Sequence, residues 1–406
     1  MNEQIQQQTE ALRPFLGQYQ RRAFAIGLLG LLATVAGFFI DQEQFFRSYL
    51  LGFIYWIGLP LGCMVILMIH HVAGGTWGFA IRRLLEAGTR TLPLMAILAL
   101  PILAGIHQLY EWSHPEAIAA DEILQHKSAY LNEPFFIART VAYFIIWGIF
   151  AYLLNRWSST QDQTADDTSP TRRLQLLSGP GILVYALTVT FASIDWSMSL
   201  EPHWYSTIYG VIYMVGQALQ TWAFIALVAV LLARRPPLDQ LLTNQRLRDL
   251  GTFMLACVML WAYVSFSQFL IIWAGNLPEE ITWYMTRLEG GWLAVGILLI
   301  AFHFALPMVL LVSSRIKART PILAAVSIGL LIMRLVDLFW ITAPAFYTEG
   351  GYHSTGFQLH WLDLTAPIGI GGLWVALFFS QLQKRPLVAL NDPRFQDLLA
   401  GEEHHG

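Results

Sequence analysis

Charge is scarce in this sequence of 406 residues. Asp, Glu, Lys and Arg make up 13% of it, whereas soluble domains carry roughly 25%. Hydrophobic residues make up 56%. A soluble core does not bury that much apolar surface, so lipid must solvate a large part of the chain. The composition therefore excludes an ordinary soluble domain and predicts an all-α integral membrane protein.

Cysteine and the common cofactor motifs are also nearly absent. Cys63 and Cys257 lie in separate apolar runs without a CxxC spacing, which excludes a disulfide framework and the usual zinc and iron–sulfur patterns. A P-loop and a dinucleotide-binding fingerprint are missing. A haem held between helices needs two histidines at one depth, but only His303 lies in the middle of a span. We expect this chain to bind no metal, haem or nucleic acid.

Ten apolar runs are present, each about 20 residues long and able to cross a bilayer as a helix. The first twenty residues are polar and have no cleavable signal, so we expect the first span to direct insertion. The spans are predicted at 22–40, 49–71, 91–110, 135–154, 180–199, 207–232, 250–273, 291–313, 321–340 and 363–383.

Basic residues are distributed unevenly between the connecting segments. All but five of the 24 Lys and Arg lie in the N-terminal segment, the loops after the even-numbered spans and the C-terminal tail. The positive-inside rule places these segments in the cytoplasm, so both termini are expected inside. The opposite loops are acidic, which is typical either of solvated loops or of a docking surface for a basic partner; their acids are Glu111, Glu116, Asp121, Glu122, Glu133, Glu279 and Glu280.

Two segments four spans apart resemble each other. Residues 46–61, FRSYLLGFIYWIGLPL, align without gaps with residues 204–219, WYSTIYGVIYMVGQAL, at six identical positions. Chance similarity of glycine-rich helices is one explanation; a parallel duplication is the one we favour, because four is an even number of spans. The duplication predicts two tandem four-helix bundles, at 46–206 and 207–342. The remaining segments are a cytoplasmic N-terminal segment at 1–21, flanking helices at 22–45 and within 343–383, and a cytoplasmic tail at 384–406.

Ionisable side chains inside spans need a reason, because each costs about 2.5–3.5 kcal/mol to insert. Arg334 and Asp337 lie three residues apart on one helix face, and Arg139 and Asp195 lie at similar depth in one predicted bundle, so each pair can form an ion pair. The simpler interpretations are structural ion pairs, side chains that snorkel to the headgroups, and a packed histidine. The functional interpretation is a polar cluster that conducts protons. Its candidate members are Arg139, Asp195, Glu289, His303, Arg334, Asp337 and Asp363.

Aromatic residues are abundant at the span ends, and interfacial belts account for most of them. Stacking of a quinone ring on one of them is a further hypothesis. Trp196 and His107, near the outer ends of spans 5 and 3, are the candidates for such a pocket.

Four segments of the chain resemble a known membrane-protein family. They are HHVAGGTWGFAIRRLLEA at 70–87, SIDWSMSLEPHWYSTIYG at 193–210, SQFLIIWAGNLPEEITWY at 267–284 and RPLVALNDPRF at 385–395. They are similar to the NrfD, or polysulfide-reductase, membrane family, in particular to the second quinone-binding-type subunit of bacterial alternative complex III. The resemblance runs nearly end to end and implies ten helices in two four-helix bundles.

The resemblance also implies a function. The family's complex oxidises menaquinol or ubiquinol and reduces cytochrome c or a similar acceptor, in the bacterial cytoplasmic membrane. Its partners are a related ten-helix quinol-binding subunit, multihaem cytochrome c subunits and an iron–sulfur subunit, which carry the haem and clusters. Asp195 of the IDWSMSLEPHW motif is implied as an acid in a proton route, and Asp337 and Arg334 are its counterparts in the second bundle.

Two other functions are compatible with the sequence pattern. A secondary transporter also has internal repeats and buried charges, but its helices usually break at paired Gly or Pro positions, and Pro60, Pro93, Pro101 and Pro307 are not paired between the halves. A structural membrane anchor for peripheral subunits is the other alternative. A purely structural anchor does not need the membrane-embedded acids Asp195 and Asp337, which argues against this alternative.

Overall fold

The computed structural model of the chain describes residues 2–164, 167–349, 353–354 and 356–392. It is helical apart from one short hairpin, in which Thr348–Glu349 pairs with His353–Ser354. Ten helical segments in the described residues are long and apolar enough to cross a membrane, as expected. In chain order these spans 1 to 10 are Glu3–Ile40, Gln42–Ala73, Arg82–Ala104, Glu133–Gln163, Ser169–Leu200, Tyr209–Leu232, Asn244–Gly275, Trp292–Val312, Thr320–Phe346 and Leu362–Leu382.

Several spans are interrupted, and short helices fill the connections. Span 3 consists of three helices, span 8 contains a π-helical turn, and spans 5 and 9 end in 3-10 turns. The pieces within spans are Arg82–Thr89, Leu92–Leu98, Leu100–Ala104, Met198–Leu200, Ile300–Ala305 and Ala343–Phe346. The connecting helices are Thr76–Phe79, Ile106–Leu109, Glu111–Ser113, Pro115–Ala120, Glu122–Lys127, Pro278–Leu288 and Ser314–Lys317.

Spans 2 and 6, which begin with the duplicated segments, lie at the centre of the molecule. Of their apolar stretches 94% and 78% are buried, against 22% in spans 1 and 8. Two glycines of span 2 allow the two helices to approach closely. A Cβ at Gly62 would lie 2.0 Å from the Thr221 hydroxyl, and one at Gly58 would lie 2.8 Å from Gln220 Oε1. The central position of the pair explains why these segments are apolar on every face.

The contacts between spans follow the same pattern in each half of the chain. Span 2 contacts spans 3 and 5, and span 4 contacts spans 3 and 5. In the second half, span 6 contacts spans 7 and 9, and span 8 contacts spans 7 and 9. The halves meet where span 6 packs against spans 2 and 5, while span 10 packs against spans 1 and 2.

The two ends of the helix assembly differ. At the end that we call the terminal end, residues 384–392 pack against the start of span 1, where the Leu387 N–H donates to Thr9 Oγ1 (3.3 Å). Residues 387–390 are buried there, so the part of the predicted tail that the structure describes is packed, and residues 393–406 lie outside the described part. The opposite end, the loop end, carries the connections at 105–132, 201–208 and 276–291 and the described residues 347–349, 353–354 and 356–361.

Spans 1, 3 and 5 begin much earlier than the apolar runs that predicted them, and the first two show the reason. Span 1 starts within the polar segment 1–21, where Ile5, Leu12 and Leu16 form a buried stripe. Span 3 starts at Arg82 rather than at residue 91, because the charges of its first turns are neutralised inside the protein. Hydropathy marks the stretch that faces lipid, and a helix continues beyond it wherever protein replaces lipid.

Glycines hold spans 1 and 10 in direct backbone contact. A Cβ at Gly372 would lie 2.2 Å from the Cα of Gly27, and one at Gly369 would lie 2.7 Å from Leu31 N. We expect Gly372→Ala to push the helices apart and to destabilise the protein by about 1–3 kcal/mol, measured as a lower thermal midpoint in detergent. Gly179→Ala is the control, since nothing lies within 4 Å of its Cβ position. Equal midpoints for both variants would contradict the close contact.

Candidate functional site

The first candidate cluster is an ion pair between spans 4 and 5. Arg139 donates from Nε to Asp195 Oδ2 (2.9 Å) and from Nη2 to Oδ1 (2.8 Å), a bidentate geometry. Tyr143 donates to the same carboxylate (2.7 Å), and Asp195 is fully buried. The predicted pairing of Arg139 with Asp195 is therefore confirmed.

Aromatic rings and a backbone carbonyl enclose this pair on the loop side. The Arg139 guanidinium lies 3.9 Å from the Tyr130 ring and 4.2 Å from the Phe135 ring, and donates from Nη1 to the Tyr130 carbonyl (2.9 Å). Burial, and then the Asp195 charge, raise the pKa of the Tyr130 phenol, so it stays protonated. Every charged atom of the pair thus has a partner, which offsets part of the cost of burying it.

The second candidate cluster lies in spans 7 and 9. Arg334 donates to Asp337 from one turn away, and Trp261 Nε1 donates to the same carboxylate oxygen (3.3 Å). Both charged residues are buried. Room for the guanidinium comes from the duplicated glycine of span 6, because a Cβ at Gly216 would lie 2.1 Å from Arg334 Cζ. The local pairing expected from the three-residue spacing is confirmed.

His303 of span 8 lies next to the second cluster. Its ring is fully buried and packs edge-on against Trp261 at 4.4 Å between centroids. Neither ring nitrogen has a hydrogen-bond partner among the described residues. The residue lies in the π-helical turn Ile300–Ala305, and such turns are frequent at functional sites. The protein thus buries two polar ring atoms beside the Arg334–Asp337 pair without a hydrogen bond to either from a described residue.

A group of three hydroxyls, from Ser197, Tyr209 and Tyr213, lies between the two clusters. Ser197, two residues after Asp195, shares hydrogen bonds with Tyr213 (2.6 Å) and Tyr209 (2.7 Å) of span 6. The Tyr213 ring in turn lies 5.8 Å from the Arg334 guanidinium. Hydroxyl groups both donate and accept, so this group can rotate between hydrogen-bonding arrangements.

A small cavity lies beside these hydroxyls, between spans 2, 5 and 6. Its volume is about 10 Å³, which is close to the space that one water needs. Its polar lining comes from Ser193, Tyr213 and Gln217. The cavity therefore offers a water site beside Tyr213.

Two predicted site residues lie apart from both clusters. Glu289 is in the turn between Pro278–Leu288 and span 8, not inside the span, and is partly exposed. Asp363 is buried in the first turn of span 10, where it accepts from Ser48 (2.6 Å) and Gln44 (3.1 Å). Asp363 thus anchors span 10 to span 2 at the loop end.

The two residues assigned to a quinone pocket are not brought together. Trp196 is buried against Phe53 and Trp147, and the cavity at its side, about 10 Å³, is far smaller than the roughly 300 Å³ of a small-molecule pocket. The His107 ring is 53% exposed at the loop end, next to Ser113 and Glu133. Their geometry in the described residues does not form one pocket.

A third buried ion pair, at the loop end, was not among the predicted residues. Arg287 is fully buried and donates to both carboxylate oxygens of Glu201 (2.7 and 3.2 Å) and to the carbonyls of Trp283, Trp340 and Ile341. Trp204 stacks on Trp283 at 4.8 Å. Trp204 Nε1 also donates to the Glu280 carbonyl (3.2 Å), so the SLEPHW and GNLPEE segments contact each other. Their unusual residue content, two Pro, one Trp and three Glu in twelve positions, was the only signal in the sequence.

A second unpredicted network closes the terminal end. Glu86 is fully buried between Arg82 (2.9 Å) and Arg83 (2.6 Å) and accepts from Ser158 (2.6 Å). Arg82 also pairs with Asp392 (2.6 Å), which ties the C-terminal segment to span 3. Further members are Asp162, which pairs with Arg83, and Arg385, 3.7 Å from Glu86 Oε2.

Metal chemistry has no candidate in the described part of the chain, where no three His, Cys, Asp or Glu side chains form a group that could hold an ion. No protein-family model matches this chain, and no curated protein is significantly similar to it.

Proposed function

We propose that this chain is a membrane subunit of a quinol-oxidising electron-transfer complex and provides its proton path towards the loop end. The observation that carries the proposal is the pair of buried Arg–Asp clusters with the Ser197–Tyr213 hydroxyl pair between them. Quinol oxidation releases two protons for each quinol. A subunit that receives them needs titratable groups inside the membrane and a chain of hydrogen bonds to one surface.

The route runs outwards from the Arg334–Asp337 pair. Its acid is held by the indole N–H of Trp261, which packs against His303. Asp337 takes up the proton beside Arg334, whose guanidinium lies 5.8 Å from the Tyr213 ring, and the proton continues to the Tyr213 and Ser197 hydroxyls. Asp195 then passes it to the loop end, where its partner Arg139 contacts Tyr130.

Two features favour this route over the structural alternatives. An anchor would gain stability from apolar side chains in place of buried ion pairs, because such replacements are often neutral or stabilising by 1–4 kcal/mol. A transporter needs a cavity for its substrate between the halves, and the cavity between spans 2, 5 and 6 holds about one water.

The topology belongs to the same proposal. The contacts within spans 2–5 and within spans 6–9 support two four-helix bundles flanked by spans 1 and 10. The excess of Lys and Arg towards the terminal end favours a cytoplasmic position for that end in a bacterial inner membrane. The acidic loop end then faces outwards, where it suits a basic, haem-bearing cytochrome and an iron–sulfur subunit. Quinol itself binds in the related ten-helix partner subunit.

The test is Tyr213→Phe, which removes one hydroxyl and keeps the ring. We expect quinol-driven proton release by the complex in native membrane vesicles to slow at least tenfold, because a group that transfers protons contributes about 10²–10⁴ to a rate. Tyr49→Phe is the matched control, since its buried hydroxyl only donates to the Leu98 carbonyl (2.9 Å). Proton release that is unchanged in both variants would favour the anchor function.

A further inference from the structure

A groove of about 620 Å³ lies between spans 3 and 4 near the terminal end. One end of it is basic, lined by the guanidinium groups of Arg90, Arg156 and Arg385. The rest runs along the two spans towards the middle of the membrane with an apolar wall, formed by Leu92, Pro93, Ala96, Phe144, Gly148 and Ala151. The groove is thus polar at the depth of lipid headgroups and apolar at the depth of their chains.

Local sequence explains why the groove is open. Span 3 is interrupted at Arg90 and Thr91 and restarts as a helix whose first turn holds Pro93, which cannot donate a backbone hydrogen bond. Across the groove, nothing lies within 4 Å of the Cβ position of Gly148. Neither helix therefore supplies a side chain that fills the space.

Two of the three groove cations, Arg90 and Arg156, are not balanced by protein in the described part of the chain, whereas Arg385 lies 3.7 Å from Glu86 Oε2. The carboxylates nearest to it already pair with buried arginines: Glu86 with Arg82 and Arg83, Asp162 with Arg83, and Asp392 with Arg82. Among the described residues, Arg90 and Arg156 pair with no carboxylate. Their protein hydrogen bonds go to the Glu86 carbonyl (3.3 Å) and the Tyr152 hydroxyl (3.3 Å).

Arg385 adds a third guanidinium from the C-terminal segment. It donates to the Asn155 carbonyl (3.0 Å), and burial lowers the pKa of this guanidinium. An anion in the groove would offset the cost of that burial.

We propose that the groove binds an anionic phospholipid of the surrounding leaflet, with its phosphate on Arg90, Arg156 and Arg385 and its first acyl carbons on the apolar wall. Guanidinium groups bind phosphate through paired N–H donors, and basic pockets between spans on the cytoplasmic side are typical headgroup sites. A zwitterionic lipid leaves the surplus charge of the groove unbalanced. The lipid also contacts Arg385, so it fastens the C-terminal segment to spans 3 and 4.

The experiment is native mass spectrometry of the delipidated full chain titrated with dioleoylphosphatidylglycerol. Arg90→Gln with Arg156→Gln is expected to weaken the lipid-bound state about thirtyfold, since each basic group near a membrane surface contributes roughly a factor of five. The charge-matched control is Arg21→Gln with Arg22→Gln, two exposed arginines of span 1 outside the groove, with an expected change below about threefold. Equal weakening by both pairs would overturn the assignment.

A second variant tests the apolar wall without changing charge. Gly148→Leu fills the groove and is expected to reduce phosphatidylglycerol binding at least tenfold, whereas Gly179→Leu, also at an open position, leaves it unchanged. Dioleoylphosphatidylcholine is expected to bind at least tenfold more weakly than phosphatidylglycerol. Equal binding of the two lipids would show an unspecific lipid contact instead. Displacement of phosphatidylglycerol by millimolar inorganic phosphate would show a free-phosphate site instead.

Discussion

Asp195→Asn is expected to destabilise the protein by about 3–5 kcal/mol and to slow quinol-driven proton release about a hundredfold. The stability loss follows because Arg139 remains buried, 8% exposed, without a counter-charge. The kinetic loss follows because an amide cannot take up the proton that Tyr143 and the carboxylate exchange. Stability is measured as thermal unfolding in detergent, and proton release in native membrane vesicles.

A double variant separates the two effects. Arg139→Gln combined with Asp195→Asn leaves no unpaired buried charge, so most of the lost stability should return, while proton release stays slow. If the double variant regains full proton release, Asp195 has a structural role only. Asp239→Asn, an exposed acid at the terminal end, is the control and is expected to change neither quantity.

Glu86→Gln is expected to have the other large effect, a loss of about 3–5 kcal/mol together with release of the C-terminal segment. Glu86 is fully buried and is the carboxylate that Arg82 and Arg83 share. Its neutralisation leaves those two guanidinium groups with Asp162 and Asp392 alone. Arg385 also loses its contact with the Glu86 charge, and its repulsion by Arg82 and Arg83 should push residues 384–392 out of their site.

Limited proteolysis and thermal unfolding measure this outcome together. Cleavage within 384–392 should become at least tenfold faster, because a packed segment must detach before a protease can cut it. Glu10→Gln is the matched control: its pair with Arg13 (3.5 Å) is exposed, and such pairs contribute about 0–1 kcal/mol. Cleavage rates that are equal in the two variants would contradict the clamping of the C-terminal segment by this network.

The sequence predicts the spans and the two Arg–Asp pairs for one physical reason. Apolar runs of membrane length leave few alternatives to a helix, and a charge within such a run must find a partner. Arg334 and Asp337 can pair within one helix, and Arg139 and Asp195 had few other partners at their depth. The exclusion of a haem site rested on the same scarcity of polar groups within spans.

Other parts of the site depend on contacts that no local pattern reveals. Arg82, Arg83 and Glu86 looked like charges of a cytoplasmic loop, but their partners Asp162 and Asp392 are 76 or more residues away and bury them. Arg287 and Glu201 are 86 residues apart. Ser197 and Tyr213 are ordinary residues in sequence and become notable only through the hydrogen bond between them. A hydropathy scale assigns such polar positions to solvent, because it carries no information on ion pairs or hydrogen bonds between residues that are distant in sequence.

Gentle purification of the tagged chain from its native membranes, followed by subunit identification and a haem absorbance spectrum, tests the proposed function most directly. We expect multihaem cytochrome c subunits, an iron–sulfur subunit and a related ten-helix protein to copurify, with menaquinol-dependent reduction of the cytochrome. A colourless chain that is purified without any of these partners would contradict the respiratory role and favour a transporter.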